Sequence, residues 1–214
     1  MMERRVFLGG AAALVLPGCS SDLIGPPPAG RIYTLHPDFT APKGASAAGE
    51  KVGWALAIDR PDVPGGLDTD RIALFQPGGM QDYYANATWP DRLPALIQRA
   101  LLDGFERSGR IAAVAREQES LHADYALVTE VKDFAAHYTT QDGIPQVSVA
   151  IMAKLVVTHG RKIAASQAVG HSASAGANSV GAVTQTLTEL LGQCTQDIVA
   201  WALSQPAPAP QTPG

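Results

Sequence analysis

Residues 147–158 alternate without a break: Val147, Val149, Ile151, Ala153, Leu155 and Val157 on one side, Ser148, Ala150, Met152, Lys154, Val156 and Thr158 on the other. A period of two is the signature of a strand with one buried face. Residues 125–138 are expected to pair with it, because the intervening Asp142-Gly143 is a favoured hairpin turn and Pro145 is excluded from a central ladder. His159-Gly160-Arg161-Lys162 then turns the chain into a third strand at 163–171. Upstream, residues 52–59, 71–75 and 81–85 read as strands, with a short one at 32–35. The segments 36–51 and 60–70 read as loops, and 170–178 as a flexible link.

Two stretches change the period from two to between three and four. After Trp89-Pro90-Asp91, the residues Leu93, Leu96, Ile97, Ala100, Leu101 and Phe105 form one apolar stripe, with Gln98, Arg99, Asp103, Glu106 and Arg107 expected in solvent. Pro suits a first helical position, Asp complements the helix dipole, and Gly109 supplies the left-handed residue that ends the helix. A last helix carries Val183, Leu187, Leu190, Leu191, Cys194, Ile198 and Trp201 on one face. The fold class expected is α+β: a mainly antiparallel sheet with the two amphipathic helices packed on one face.

The chain start adds a different chemistry. Arg4 and Arg5 precede a short apolar run, residues 6–16, that closes in Leu16-Pro17-Gly18-Cys19. That is the layout of a secretory signal, too short for a spanning helix, and Leu-x-Gly-Cys resembles the bacterial lipobox. The resemblance implies cleavage before Cys19 and acylation of its thiol. Residues 1–18 are then a signal peptide and Cys19 a lipid anchor. Arg4-Arg5-Val6-Phe7-Leu8 also resembles a twin-arginine export signal, so the export route stays open. Residues 19–30, with Pro26-Pro27-Pro28, serve as a tether, 31–204 as the domain, and 205–214 as a Pro-rich tail too polar to fold. By resemblance to lipoprotein sorting in two-membraned bacteria, Ser20 directs the protein to the outer membrane, with its domain facing the periplasm.

Composition narrows the chemistry further. With 46% hydrophobic and 17% charged residues the chain is an ordinary globular one. A net charge of −4 and no basic run argue against nucleic acid as a partner. With Cys19 acylated, Cys194 has no thiol partner within the chain and reads as a core residue. Gly170-His171-Ser172-Ala173-Ser174 faintly resembles a serine-hydrolase elbow, but the final glycine is missing and no acid–base pair can be assigned. His36, His122, His137, His159 and His171 lack the close spacing of a zinc site. Asn86-Ala87-Thr88 fits a glycosylation acceptor in form only. No enzyme, metal or cofactor is expected. The adjacent Tyr83 and Tyr84 must face opposite ways on a strand, so one ring is expected in the core and the other can serve as an aromatic docking contact. Trp89, at the helix start, reads as a cover for the core.

Certain of these residues carry a family resemblance. Asp62-Val63-Pro64, the run Leu67-Asp68-Thr69-Asp70-Arg71-Ile72, the run from Tyr83 to Trp89, and the Leu-rich helix closing in Phe105-Glu106-Arg107-Ser108-Gly109 resemble the ABC-type transport auxiliary lipoproteins, the PqiC-like family. Tyr33-Thr34-Leu35, Phe134, Asp197-Ile198 and Trp201 fit the same pattern. The resemblance implies an accessory subunit of a trans-envelope lipid transport system, with an MCE-domain protein and an ABC transporter as partners. It implies no catalytic residues. A periplasmic lipid-binding or carrier lipoprotein is the alternative; a continuous apolar cavity would favour it, and a filled core would favour docking. The lipid, the partner and the oligomeric state, a homo-oligomer included, stay open.

Overall fold

The strict alternation in the second half becomes the longest ladder of the sheet. A computed structural model describes residues 30–39, 50–119 and 122–208. The elements in chain order are β1 (Arg31–Ile32), β2 (Val52–Ile58), β3 (Arg71–Phe75), β4 (Gln81–Thr88), α1 (Leu93–Ser108), β5 (Ile111–Arg116), β6 (Tyr125–His137), β7 (Gln146–Val157), β8 (Lys162–Ser174) and α2 (Val180–Leu203). They form the expected α+β architecture: an eight-stranded mixed, mostly antiparallel sheet with two helices. β6, β7 and β8 make the antiparallel meander, in register from Tyr125↔Val157 to His137↔Gln146 on one side of β7 and from Gln146↔Ser174 to Val157↔Lys162 on the other. Val147, Val149, Ile151, Ala153 and Leu155 are all buried.

The first half is joined differently. β3 and β4 form an antiparallel hairpin, but β2 runs parallel to both β5 and β6, and β3 runs parallel to β6. One side of β6 is therefore shared. β2 takes its first residues through Leu56↔Tyr125, Asp62 bridges at Glu130, and β3 takes its last through Phe75↔His137. β5 is an element that the pattern did not announce: its Ala-rich IAAVAR has no clean alternation and is mostly part-exposed. It exists because α1 provides the crossover that a parallel partner for β2 needs. A carboxylate repairs the irregular start of β2, where Asp124 Oδ2 accepts the Ala55 amide at 2.7 Å next to a register shift.

Both helices bury the stripes expected of them. Leu93, Leu96, Ile97, Ala100, Leu101 and Phe105 are each at most 3% exposed, as are Val183, Leu187, Leu190, Leu191, Cys194 and Ile198. Trp201 is only half-buried. α1 starts at Leu93, later than Trp89-Pro90-Asp91 suggested, with Pro94 in its first turn and no acidic residue there. The reason is local: the amides of Trp89 and Leu93 donate to the carbonyls of Asp70 and Thr69, which holds 89–92 as a strap across the β3 entry. Gly109 ends α1 at φ 62°, as expected. Gln98 is a correction. Instead of facing solvent it is 7% exposed, and its Nε2 donates to the Ile58 carbonyl at 2.9 Å. β4 runs on to Thr88 rather than stopping at 85, around an exposed Asn86 at φ 55°. β8 likewise runs on to Ser174, through part of what reads as a link.

The helices touch one another, and α2 also packs on β7 and β8. A close approach allows this: a methyl group added at Gly104 would sit 2.5 Å from Thr195 Cγ2. Trp89 is buried edge-on against Phe134, the structural role expected of it.

Candidate docking surface

Tyr83 and Tyr84 sit side by side on β4 and engage different neighbours. Tyr83 Oη donates to the Gly66 carbonyl at 2.8 Å, where Gln81 Nε2 also donates at 2.9 Å. The Arg71 guanidinium lies 3.9 Å from the centroid of the Tyr83 ring, a cation–π contact. Tyr84 belongs to a chain of polar groups. Its Oη is 2.9 Å from that of Tyr138, which donates to Asn178 Oδ1 at 2.8 Å, leaving Tyr84 as donor to Tyr138. Burial pushes the Tyr84 phenol well above its ordinary value, and the bond to Tyr138 adds to the shift. Both rings are half-buried and packed on the core, so neither is a fully buried residue and neither is fully exposed. The link through Tyr138 and Asn178 has no local sequence signal, because these residues are far apart in the chain.

The segment before α1 explains why the motif residues stand where they do. Arg92 forks onto Asp68, with Nε 2.9 Å from Oδ1 and a terminal nitrogen 2.9 Å from Oδ2, and also reaches the Asp68 carbonyl. Asp62 works through its backbone: its amide donates to Thr129 O, and its carbonyl accepts from Val131 N. These residues lock the 60–70 segment between β6 and the start of α1.

No catalytic arrangement emerges from the candidates. Gly170, His171 and Ser172 lie inside the continuous strand β8, so the sharp strand-to-helix turn of a nucleophile elbow is absent there. His171 Nε2 instead meets Asp197 Oδ2 of α2 at 2.7 Å. Asp133 draws both Ser148 Oγ and His137 Nε2 to the same carboxylate oxygen, which the sequence did not flag. In that order the histidine cannot take the serine proton, since neither hydrogen bond links the two. Among the described residues no group of three His, Cys, Asp or Glu side chains could hold a metal ion.

Two clefts bear on lipid binding. One of about 590 Å³ lies between residues 33–38 and the outer side of α2, lined by Tyr33, His36, Thr184, Gln185, Thr188 and Glu189 among others. A second, of about 280 Å³, brings Asp59, Glu117 and Arg161 together beside Ala126 and Val156. Burial raises the Asp59 carboxyl above its ordinary value, with Glu117 adding to the shift and Arg161 opposing it. Neither is an apolar tunnel, and the interior between helices and sheet is filled by Phe105, Phe134, Leu56, Ile97, Leu127 and Leu187, each under 2% exposed. Cys19, the lipid anchor expected from the sequence, residues 1–29 around it and the end of the tail, residues 209–214, lie outside the described residues. Among the described helices none is long and apolar enough to cross a membrane.

A mixed sheet carrying two helices is the frame that positions these residues. Residues 33–199 match the ABC-type transport auxiliary lipoprotein component family, and the chain belongs to that family. The family is that of the auxiliary lipoprotein components of ABC-type transport systems. A crystal structure of a DUF330 protein from Xanthomonas campestris is similar, with a TM-score of 0.73 and 26% identity over 81% of this chain and 94% of that one. A second solved structure, of an uncharacterized protein, shares the fold at a TM-score of 0.63 and 14% identity, covering 81% of this chain and 99% of that one. An uncharacterized protein of Bradyrhizobium diazoefficiens is 26% identical over 166 residues, 78% of this chain. The chain spans 44% of that relative's length.

Proposed function

We propose that this lipoprotein is held in the outer membrane by acylated Cys19 and docks, from the periplasmic side, onto an MCE-domain protein of an ABC-type lipid transport system. The observation that carries the docking reading is the filled core: a lipid carrier needs an enclosed apolar cavity, whereas the clefts described are partly open and mix apolar surface with polar side chains such as Gln185, Glu189, Asp59 and Arg161. Tyr83 and Tyr84 are the proposed contact residues. Tyr83 is the better anchor of the two, because a half-exposed aromatic ring backed by Arg71 keeps its orientation without a partner. Tyr84 ties β4 through its hydroxyl to Tyr138 and Asn178.

The test is co-purification from detergent-solubilised membranes with the MCE-domain protein encoded nearby. The wild type is expected to retain that partner, and Tyr83→Ala to lose most of it while keeping its melting temperature within a few degrees. Recovery only as a free protein with tightly bound lipid would replace docking by lipid carriage.

A further inference from the structure

The smaller cleft lies on the face of the sheet that the two helices do not cover. Its floor is Ala57, Ala126 and Val156, side by side across β2, β6 and β7, with Val128 two residues on. Their chain neighbours Leu56, Tyr125, Leu127 and Leu155 belong to the core under the helices, and alternate residues of a strand point to opposite faces. Three charges rim that floor. Asp59 follows Ala57 just past the end of β2, and Glu117 follows Ala115, the partner of Ala57 on β5. Arg161 closes the cleft from the loop between β7 and β8.

These charges are unmatched. No side-chain hydrogen bond or salt bridge joins Asp59, Glu117 or Arg161 to any described residue, although all three line one cleft. Oδ1 of Asp59 is shielded from solvent with no donor, and burial holds that carboxyl above its ordinary value. A buried polar group without a partner needs a reason. Arg161 adds a second anomaly: at φ 48°, beside Gly160 at φ 82°, it occupies the left-handed region that glycine fills at lower cost. Backbone outliers of this sort cluster at ligand sites.

The charge pattern selects the ligand. A lone anion meets two carboxylates, a lone cation meets the guanidinium, and a ligand with both signs satisfies each side. The missing donor to Asp59 asks for an N–H, which a primary ammonium has and a quaternary one lacks. Among the described lining residues there is also no Trp, Tyr or Phe for the aromatic cage that quaternary ammonium groups use. A guanidinium matches phosphate through two parallel hydrogen bonds. The volume of about 280 Å³ suits a headgroup-sized molecule and has no room for acyl chains.

We propose that this cleft binds a small zwitterion, a primary ammonium linked to a phosphate as in phosphoethanolamine, with the ammonium at Asp59 and Glu117 and the phosphate at Arg161. A lipid headgroup and a free metabolite both present that chemistry. The headgroup source rests on the lipid transport reading above; binding of the zwitterion does not, and it uses neither Tyr83 nor Tyr84.

The test is calorimetric titration of the full-length protein in maltoside with soluble probes. It needs no partner protein, so its failure and a failure of the docking reading are distinguishable. Glycerophosphoethanolamine carries the singly charged phosphodiester of a lipid headgroup, and phosphoethanolamine the monoester of a free metabolite. Saturable binding of the first is expected, with the second weaker because its extra negative charge faces Asp59 and Glu117. Tighter binding of the second would support the zwitterion site and assign it to the free metabolite. Glycerophosphocholine is expected to bind about tenfold more weakly than glycerophosphoethanolamine, the loss of one charge-assisted hydrogen bond. Asp59→Asn and Arg161→Gly are each expected to lose most of the binding while keeping or raising the melting temperature, since one removes an unpartnered carboxylate and the other a left-handed arginine. Residues that only shaped the fold would lower it instead. No saturable binding of either ethanolamine probe, equal affinity for the choline probe, or wild-type affinity in either folded variant would overturn the proposal.

Discussion

Cys194 shows how far a single residue's surroundings can be read from its place in a pattern. Its position in the apolar stripe of α2 announces a core residue, and the thiol is fully shielded, with Sγ donating weakly to the Val149 carbonyl at 3.7 Å. Burial pushes it up to about 12, and the nearby Asp197 adds to the shift. The folded value thus lies above the ordinary thiol value of 9.0, so the fold favours the neutral form. That contribution is fully present below about pH 9 and is lost as pH rises from there towards 12. We expect the melting temperature of the wild type to fall more steeply above pH 9 than that of Cys194→Ala, so that the gap between them narrows. Parallel curves would show that the thiol does not titrate with unfolding. Iodoacetamide is expected to label Cys194 only as the protein unfolds. Gln98 is the opposite case. A polar residue beside an apolar stripe reads as surface, and nothing near it in sequence reveals the Ile58 carbonyl that it serves across 40 positions.

At the scale of elements, legibility follows periodicity. The β7 alternation and the two helical stripes are repeated signals, and each became the element it predicts. β5 was illegible because Ala112, Ala113 and Ala115 carry neither a clear polar side nor a clear apolar one, and its existence depends on β2 being already in place. The late start of α1 was hidden for a similar reason, since the strap at 89–92 is held by carbonyls of Thr69 and Asp70. The contact between helices was equally silent. Gly104 is a poor helix residue that the packing requires, with Thr195 Cγ2 in the space that a side chain would occupy. Replacing it with alanine has opposed effects: helix propensity improves by about 1 kcal/mol, while overpacking a tight contact costs typically about 1–3 kcal/mol. Thr195 is β-branched and held in the helix, so it has little freedom to move aside. We expect Gly104→Ala to lower stability by about 1 kcal/mol, measured by urea denaturation, and Thr195→Ser to restore most of the loss in the double variant. A Gly104→Ala protein more stable than wild type would mean that the helices part at little cost.

For the whole molecule, the anchor proposed at Cys19 poses a problem of reach. Residues 20–30 span roughly 40 Å at full extension, at about 3.3–3.6 Å per residue. A domain anchored as proposed would stay near the membrane that holds it, so transport across an envelope would need a longer partner, in keeping with an auxiliary role in the family. The tyrosines proposed for docking were legible as aromatic residues on a strand, but their chemistry was not: Arg71, Gly66 and Tyr138 reach them only once β3, β4 and β6 are assembled. The anchor carries the final prediction. Each buried acyl methylene contributes about 0.8 kcal/mol, so two or more chains hold a protein on a bilayer for long times while an unacylated one has no such hold. Cys19→Ala removes the only thiol of the leader region, and among the described residues no helix could replace the anchor by crossing the membrane. We expect the wild type to fractionate with outer membranes and to show acyl chains on Cys19 by mass spectrometry, and the variant to lose both. An unmodified mature N-terminus at another residue would remove Cys19 as the anchor. Acylated wild type found in the inner membrane would leave the anchor intact and place the domain beside the transporter rather than opposite it.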